Sequence, residues 1–185
     1  NQGVVGYFAP KATIDLEDLV GEAFRKTSRP VLAALDGVQD PQNLGAIVRS
    51  AEVLGLQGII IPKRRASPLN ETASKCASGA VEILSVATVD NMAASLEVLK
   101  LAGFWIVGVT PDGEKLCHLF QFNMPTVLVI GGEGKGIRPV LRKKLVPHRS
   151  ARKPIKTSRT SSRNKPTLWD QASRWYDSLV GMSGS

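Results

Sequence analysis

The sequence predicts an α/β fold, a parallel sheet flanked by helices, and two observations predict it. Strand-length apolar runs alternate along the 185 residues with segments of helical periodicity. Several of those runs, among them Val31–Leu35, Phe104–Val109 and Thr126–Ile130, are apolar at successive positions, as strands buried on both faces are.

Each element has its own signals. Asn1 to Pro10 reads as a linker. From Asp15 to Lys26, Leu16, Leu19, Val20, Ala23 and Phe24 recur at helical spacing, and Arg29-Pro30 ends that helix. Val31–Leu35 is a buried strand. Asp40 is a good N-cap and Pro41 a good first helical residue, so a helix runs from Pro41 to Leu54, with Leu44, Ile47, Val48, Ala51 and Leu54 on its core face. The opposite stripe is Gln42, Gly45, Arg49 and Glu52, and the small Gly45 leaves approach to Arg49 open. Strand Gly58–Ile61 follows, then the basic loop Lys63-Arg64-Arg65 and a short helix near Asn70 to Ser78. Ile83–Ala87 reads as a strand. Asp90 or Asn91 caps a helix that Gly103 closes. Strand Phe104–Val109 leads to the loop Thr110-Pro111-Asp112-Gly113. Strand Thr126–Ile130 leads to a glycine-rich loop, with a helix starting near Arg138-Pro139.

Composition bounds the function classes. The length suits one domain with an appendage, and no apolar run approaches the roughly 18 residues of a membrane span. No signal peptide is visible, and the chain begins at Asn1 without Met, as a fragment would. Cys76 and Cys117 offer neither a disulfide framework nor metal-ligand spacing, which fits a reducing compartment, cytoplasm or organelle. The net charge of +8 is concentrated: ten basic residues and no acidic one lie between Arg142 and Lys165, and the remainder carries −2. A basic pI is therefore no argument that the folded part binds nucleic acid. Three segments result: a linker and leading helix over 1–30, an α/β domain over 31–147, and a basic tail over 148–185. The tail is expected to be disordered apart from one amphipathic helix near Thr167–Val180.

Two stretches carry chemistry. Asp36 to Glu52 combines a strand end, a tight turn and a polar helix start, where open α/β sheets place ligands. A capped surface helix with a solvated arginine is the plain alternative. The run Gly131-Gly-Glu133-Gly-Lys135-Gly136 is not a phosphate-binding P-loop, because Gly136 follows Lys135 where Ser or Thr is needed. Its spacing is not the dinucleotide fingerprint either. A strand-end loop lying with bare backbone against a small ligand remains, beside an ordinary glycine-rich turn.

These residues match a family. Asn43-Leu-Gly45-Ala-Ile-Val-Arg49 and Val127-Leu-Val-Ile-Gly131-Gly-Glu133-Gly-Lys-Gly136-Ile resemble the first and second motifs of the SpoU family, RNA ribose 2′-O-methyltransferases of the SPOUT class. The resemblance runs from Asn1 to about Val146. Ile61-Pro-Lys-Arg-Arg-Ala-Ser-Pro-Leu, Ala77-Ser-Gly-Ala and Gly103-Phe-Trp-Ile-Val-Gly-Val look most like the branch that modifies a guanosine of large-subunit ribosomal RNA. In that branch the segment like Gln2-Gly3-Val4 joins a small RNA-binding domain to the catalytic domain.

The resemblance implies a SPOUT-type fold with a trefoil knot, an exception to unknotted topology. It implies methyl transfer from S-adenosyl-L-methionine to a ribose 2′-hydroxyl of RNA, ribosomal rather than transfer RNA, by a homodimer without metal. Thr110, Ile130, Gly131 and Gly132 would bind the cofactor. Asn43, Arg49 and Glu133 would be catalytic, with Glu133 pairing to Asn43 or Arg49 across the site. A guanidinium holds its proton at ordinary pH, so Arg49 is expected to orient the nucleotide and stabilise charge developing on the 2′-oxygen. Lys63, Arg64, Arg65 and Lys135 would contact RNA phosphates. The family's third motif has no counterpart after Val146. Its absence would leave the knot and the adenine pocket incomplete and remove a helix of the dimer interface. The alternative is an inactive RNA-binding remnant of the same fold with a basic tail.

Overall fold

The computed structural model describes residues 12–64, 66, 69–111, 113, 115–116, 121–145 and 151–152. Its centre is a five-stranded parallel sheet: β1 (Val31–Asp36), β2 (Gly58–Pro62), β3 (Ser85–Val89), β4 (Trp105–Thr110) and β6 (Thr126–Gly131). Two two-residue strands, β5 (Lys115–Leu116) and β7 (Ala151–Arg152), extend it beyond β4, giving the order β3-β2-β1-β6-β4-β7-β5. The α/β class and parallel sheet are as expected.

The helices are α1 (Leu16–Lys26), α2 (Pro41–Val53), α3 (Glu71–Ala77), α4 (Ala80–Ile83), α5 (Met92–Leu101) and α6 (Pro139–Arg142). They sort onto two faces because alternate strand residues point opposite ways. Ala33, Leu35, Ile59, Ile61 and Val86 pack with Leu44, Ile47, Val48 and Ala51 of α2 and with α3 and α4. Leu32, Ala34, Ile60, Ile106, Val127 and Val129 pack with Leu19, Leu96, Leu99 and Leu141 from α1, α5 and α6.

Local chemistry accounts for most boundaries. The Asp40 carboxylate accepts from the Gln42 N–H at 3.0 Å, Asn70 accepts from Ala73, and Asn91, rather than Asp90, accepts from Ala93 and Ala94. Asp15 occupies the N-cap of α1 without a side-chain cap bond. Gly103 ends α5 with φ +91, a conformation that glycine adopts without strain.

Two expectations need correcting. Ile83 lies in the one-turn helix α4 rather than a strand, and β3 begins two residues later. A left-handed Gly79 starts that turn, and the Leu84 N–H closes it on the Ala80 carbonyl. Gly45 is buried against α3, not open beside Arg49. A Cβ there would lie 2.4 Å from the Ala73 carbonyl oxygen and 2.6 Å from the Cys76 Cβ, so glycine lets the two helices approach. Of the tail expected over 148–185, the described residues are Ala151 and Arg152, which pair with Val109 and Thr110 as β7. The rest of it, including the amphipathic helix near 167–180, lies outside the described residues, as do Cys117 and the chain that would form the knot after 145.

Candidate active site

Strand order places the site. The chain moves from β1 outward through β2 to β3, crosses over, and returns through β4 to β6 on β1's other side. The switch point is between β1 and β6, where the carboxyl ends of parallel strands leave a crevice. Two segments leave that edge side by side: the turn from Asp36 into α2, and the 131–138 loop after β6.

A side-chain hydrogen bond joins the start of α2 to the loop. The half-buried Asn43, in the first turn of α2, donates through Nδ2 to the Glu133 Oε1 at 3.2 Å. The two motifs, 90 residues apart, therefore share a site, and Asn43, one of the two residues expected to pair with Glu133, does so. Arg49 lies two turns into α2 on its exposed side. Lys135 is exposed in the loop beside Glu133. Lys63 and Arg64 are exposed just past the end of β2, and Lys63 is ion-paired with Asp90 at 3.2 Å. Arg65 lies outside the described residues.

The glycine-rich loop does something other than present bare backbone outward. A Cβ on Gly131 would lie 2.1 Å from the Gly136 carbonyl carbon, and one on Gly132 would lie 2.3 Å from the Gly37 oxygen. Both glycines are required where chain crosses chain. Gly132 also spends its N–H on the Asp36 carbonyl at 2.8 Å, and its own carbonyl accepts from Gly136 at 3.1 Å. The left-handed Gly134 and Gly136, φ +79 and +62, close the loop on itself.

Polar groups are left over on the β4 side of β6. The parallel ladder pairs Val109 with Ile130. One step further the Gly131 carbonyl would face the N–H of residue 111, which is proline and has none. Beside it, Thr110 is 5% exposed, and among the described residues its hydroxyl has no hydrogen-bond partner. Thr110 is buried and Gly131 half-buried, so a small polar molecule bound here would satisfy two atoms for which the described residues supply no partner. Ile130, half-buried, packs against the α2 and α3 core below them.

Two residues that the sequence reading passed over organise the loop. Asp36, whose side chain is 1% exposed, ends β1. Its Oδ1 accepts from the Arg138 Nε at 2.7 Å and its Oδ2 from the Arg138 backbone N–H at 3.0 Å. A carboxylate closing an otherwise apolar strand was the available signal; nothing local could name its partner 102 residues away.

Comparison with known proteins agrees with this geometry. Residues 30–156 match the model of the SpoU rRNA Methylase family. The 23S rRNA (guanosine-2′-O-)-methyltransferase RlmB of Pseudomonas aeruginosa is 41% identical over 143 residues, covering 77% of this chain and 57% of the relative. The chain spans between 37% and 58% of the length of the curated relatives it matches. Among solved structures, the SpoU methyltransferase AviRb of Streptomyces viridochromogenes, in complex with AdoMet, superposes with a TM-score of 0.66 at 22% identity, covering 86% of this chain and 60% of that one. The AdoMet-bound rRNA methyltransferase of Sinorhizobium meliloti gives 0.67 at 24% identity, covering 84% and 58%. At those identities the likeness bears on the fold.

Proposed function

This chain belongs to the SpoU rRNA methylase family, and on that premise we propose that it transfers a methyl group from S-adenosyl-L-methionine to a ribose 2′-hydroxyl of RNA, a guanosine of ribosomal RNA being the favoured target. The observation that carries the reading is the Asn43–Glu133 hydrogen bond, which joins the two family motifs at the switch point of the sheet. The relatives named as 23S rRNA guanosine methyltransferases support the substrate class.

The open groups fit the cofactor. Thr110 and the backbone of Ile130 and Gly131 would hold it, the Thr110 hydroxyl and the Gly131 carbonyl supplying polar contacts. Gly132, which would line the same pocket with its backbone, also shapes the loop through its bonds to Asp36 and Gly136. When bound, S-adenosylmethionine supplies a methyl group on a positively charged sulfur, already electrophilic without a metal. The chain's own residues must bring the ribose oxygen into line with it.

Asn43 and Glu133 fix one wall of that approach. Arg49, exposed on α2, orients the nucleotide and stabilises negative charge as it develops on the 2′-oxygen. The hydroxyl proton passes to water on the open side of the site. Lys63, Arg64, Arg65 and Lys135 draw in the phosphate backbone, a sequence-independent and salt-sensitive contribution. No helix among the described residues is long and apolar enough to cross a membrane. A homodimer and a cytoplasmic setting complete the reading; sedimentation and cell fractionation test them.

The test is incubation of the chain with ribosomal RNA and methyl-labelled S-adenosylmethionine, followed by nucleoside analysis. Label on a ribose 2′-oxygen is the expected result. RNA binding with no detectable cofactor binding by calorimetry would refute the enzyme and leave an RNA-binding remnant.

A further inference from the structure

The 131–138 loop carries Glu133 and the Gly131 carbonyl, yet Glu133, Gly134 and Lys135 are all exposed. Its internal bonds are few: Gly136 N–H to the Gly132 carbonyl at 3.1 Å and Lys135 N–H to the Glu133 carbonyl at 3.0 Å. An exposed loop held only by these would sample many positions and would not keep Glu133 at hydrogen-bond distance from Asn43.

Besides Ile137, buried in the core near the loop's end, one residue outside the loop holds it at both ends. The Asp36 main-chain carbonyl accepts from Gly132, where the loop starts. The Asp36 carboxylate accepts twice from Arg138, where the loop ends. The start is also pressed against Gly37, the next residue, which leaves no room for a Cβ on Gly132. Asp36 is in turn the last residue of β1, four positions before the α2 cap, so the same residue sets the origin of both segments that form the site.

We infer that Asp36, with Arg138, is a positioning pair that clamps both ends of the 131–138 loop and so sets where Glu133 and the Gly131 carbonyl stand. Its catalytic meaning rests on the methyl-transfer reading above; the clamp itself does not. The carboxylate is buried and would be costly to leave unpaired, whereas the Arg138 side chain is 42% exposed and can be cut back without opening the core. Neither residue reaches the reacting atoms. Their effect passes through the loop.

Hydrogen exchange on the full chain tests the clamp directly. In Arg138→Ala, the amides of Gly132, Gly136 and residue 138 should exchange about tenfold faster, the scale of one charge-assisted hydrogen bond, while α2 amides away from the loop hold; Tm should fall as well, because the buried Asp36 carboxylate loses its charged partner. Arg138→Lys, which keeps the charge but not the Nε geometry, should recover part of the protection. Asp36→Asn should act in the same direction, because an amide NH2 then confronts one of two donors. S-adenosylmethionine should bind about tenfold more weakly to Arg138→Ala by calorimetry, with partial recovery in the lysine variant. Unchanged exchange over 131–138 overturns the clamp. Faster exchange with unchanged cofactor affinity overturns the positioning role. If the unaltered chain binds no S-adenosylmethionine, the methyl-transfer reading fails separately, and exchange still decides the clamp.

Discussion

The two segments that meet at the β1/β6 edge are built by different means. The start of α2 is made locally: Asp40 caps it, Pro41 opens it, and Leu44, Ile47 and Val48 bury its inner face within a dozen residues. The 131–138 loop is made at long range, by Asp36 from the far end of the chain and by glycines whose missing side chains admit neighbouring backbone. Segments of the first kind tolerate change one interaction at a time. The second kind is closed by a few contacts and fails when one is lost.

That contrast can be broken at graded cost. The largest effect should come from Arg49→Ala, which removes a charge from the exposed side of α2. Methyl transfer should fall by about 100-fold or more while Tm and α2 exchange stay as they were. Retained activity would remove Arg49 from the mechanism. Next is Gly131→Ala. The new Cβ would sit 2.1 Å from main-chain carbon, so backbone must move. A stability loss of about 3 kcal/mol, on the order of 10 °C in Tm, is expected by thermal denaturation.

Asp40→Ala is the matching change on the local side. It deletes one cap bond and should cost about 1 kcal/mol in denaturant unfolding, with exchange rising only in the first turn of α2. If it proves as damaging as Gly131→Ala, the contrast is wrong. The smallest effect should be at Glu97, where a hydrogen bond from Lys144 and the nearby Lys100 hold the carboxyl below its ordinary value. Lys144 lies just past α6, so this contact ties down the chain leaving the loop. A lowered folded value stabilises the fold above the ordinary carboxylate range, and the gain is lost as pH falls through the lowered value. Glu97→Gln should therefore differ slightly from the parent at neutral pH, and the difference should vanish in acid. It is a solvent-screened surface contact.

The same division explains how much could be read from residues alone. The five central strands, apart from the start of β3, and the Pro41 helix with its cap followed from local pattern, and a pairing of Glu133 with Asn43 or Arg49 followed from the two motifs. Gly45 did not, because its role depends on how closely α3 lies to α2, which no spacing within α2 records. Nor could the sequence show that a side chain on Gly131 or Gly132 would collide with the backbone of Gly136 or Gly37. Asp36 sat at the end of an apolar run, but its partner could be found only once β1 and β6 were neighbours.

The central claim is that α2 and the loop after β6 act as one site through Asn43 and Glu133. A double-mutant cycle on methyl transfer to ribosomal RNA, with Asn43→Ala, Glu133→Ala and the double variant, tests it most directly. The predicted result is strong coupling, the double variant losing little beyond either single one. Losses that simply multiply would mean that the two residues work independently and that the contact between the motifs does not unite them.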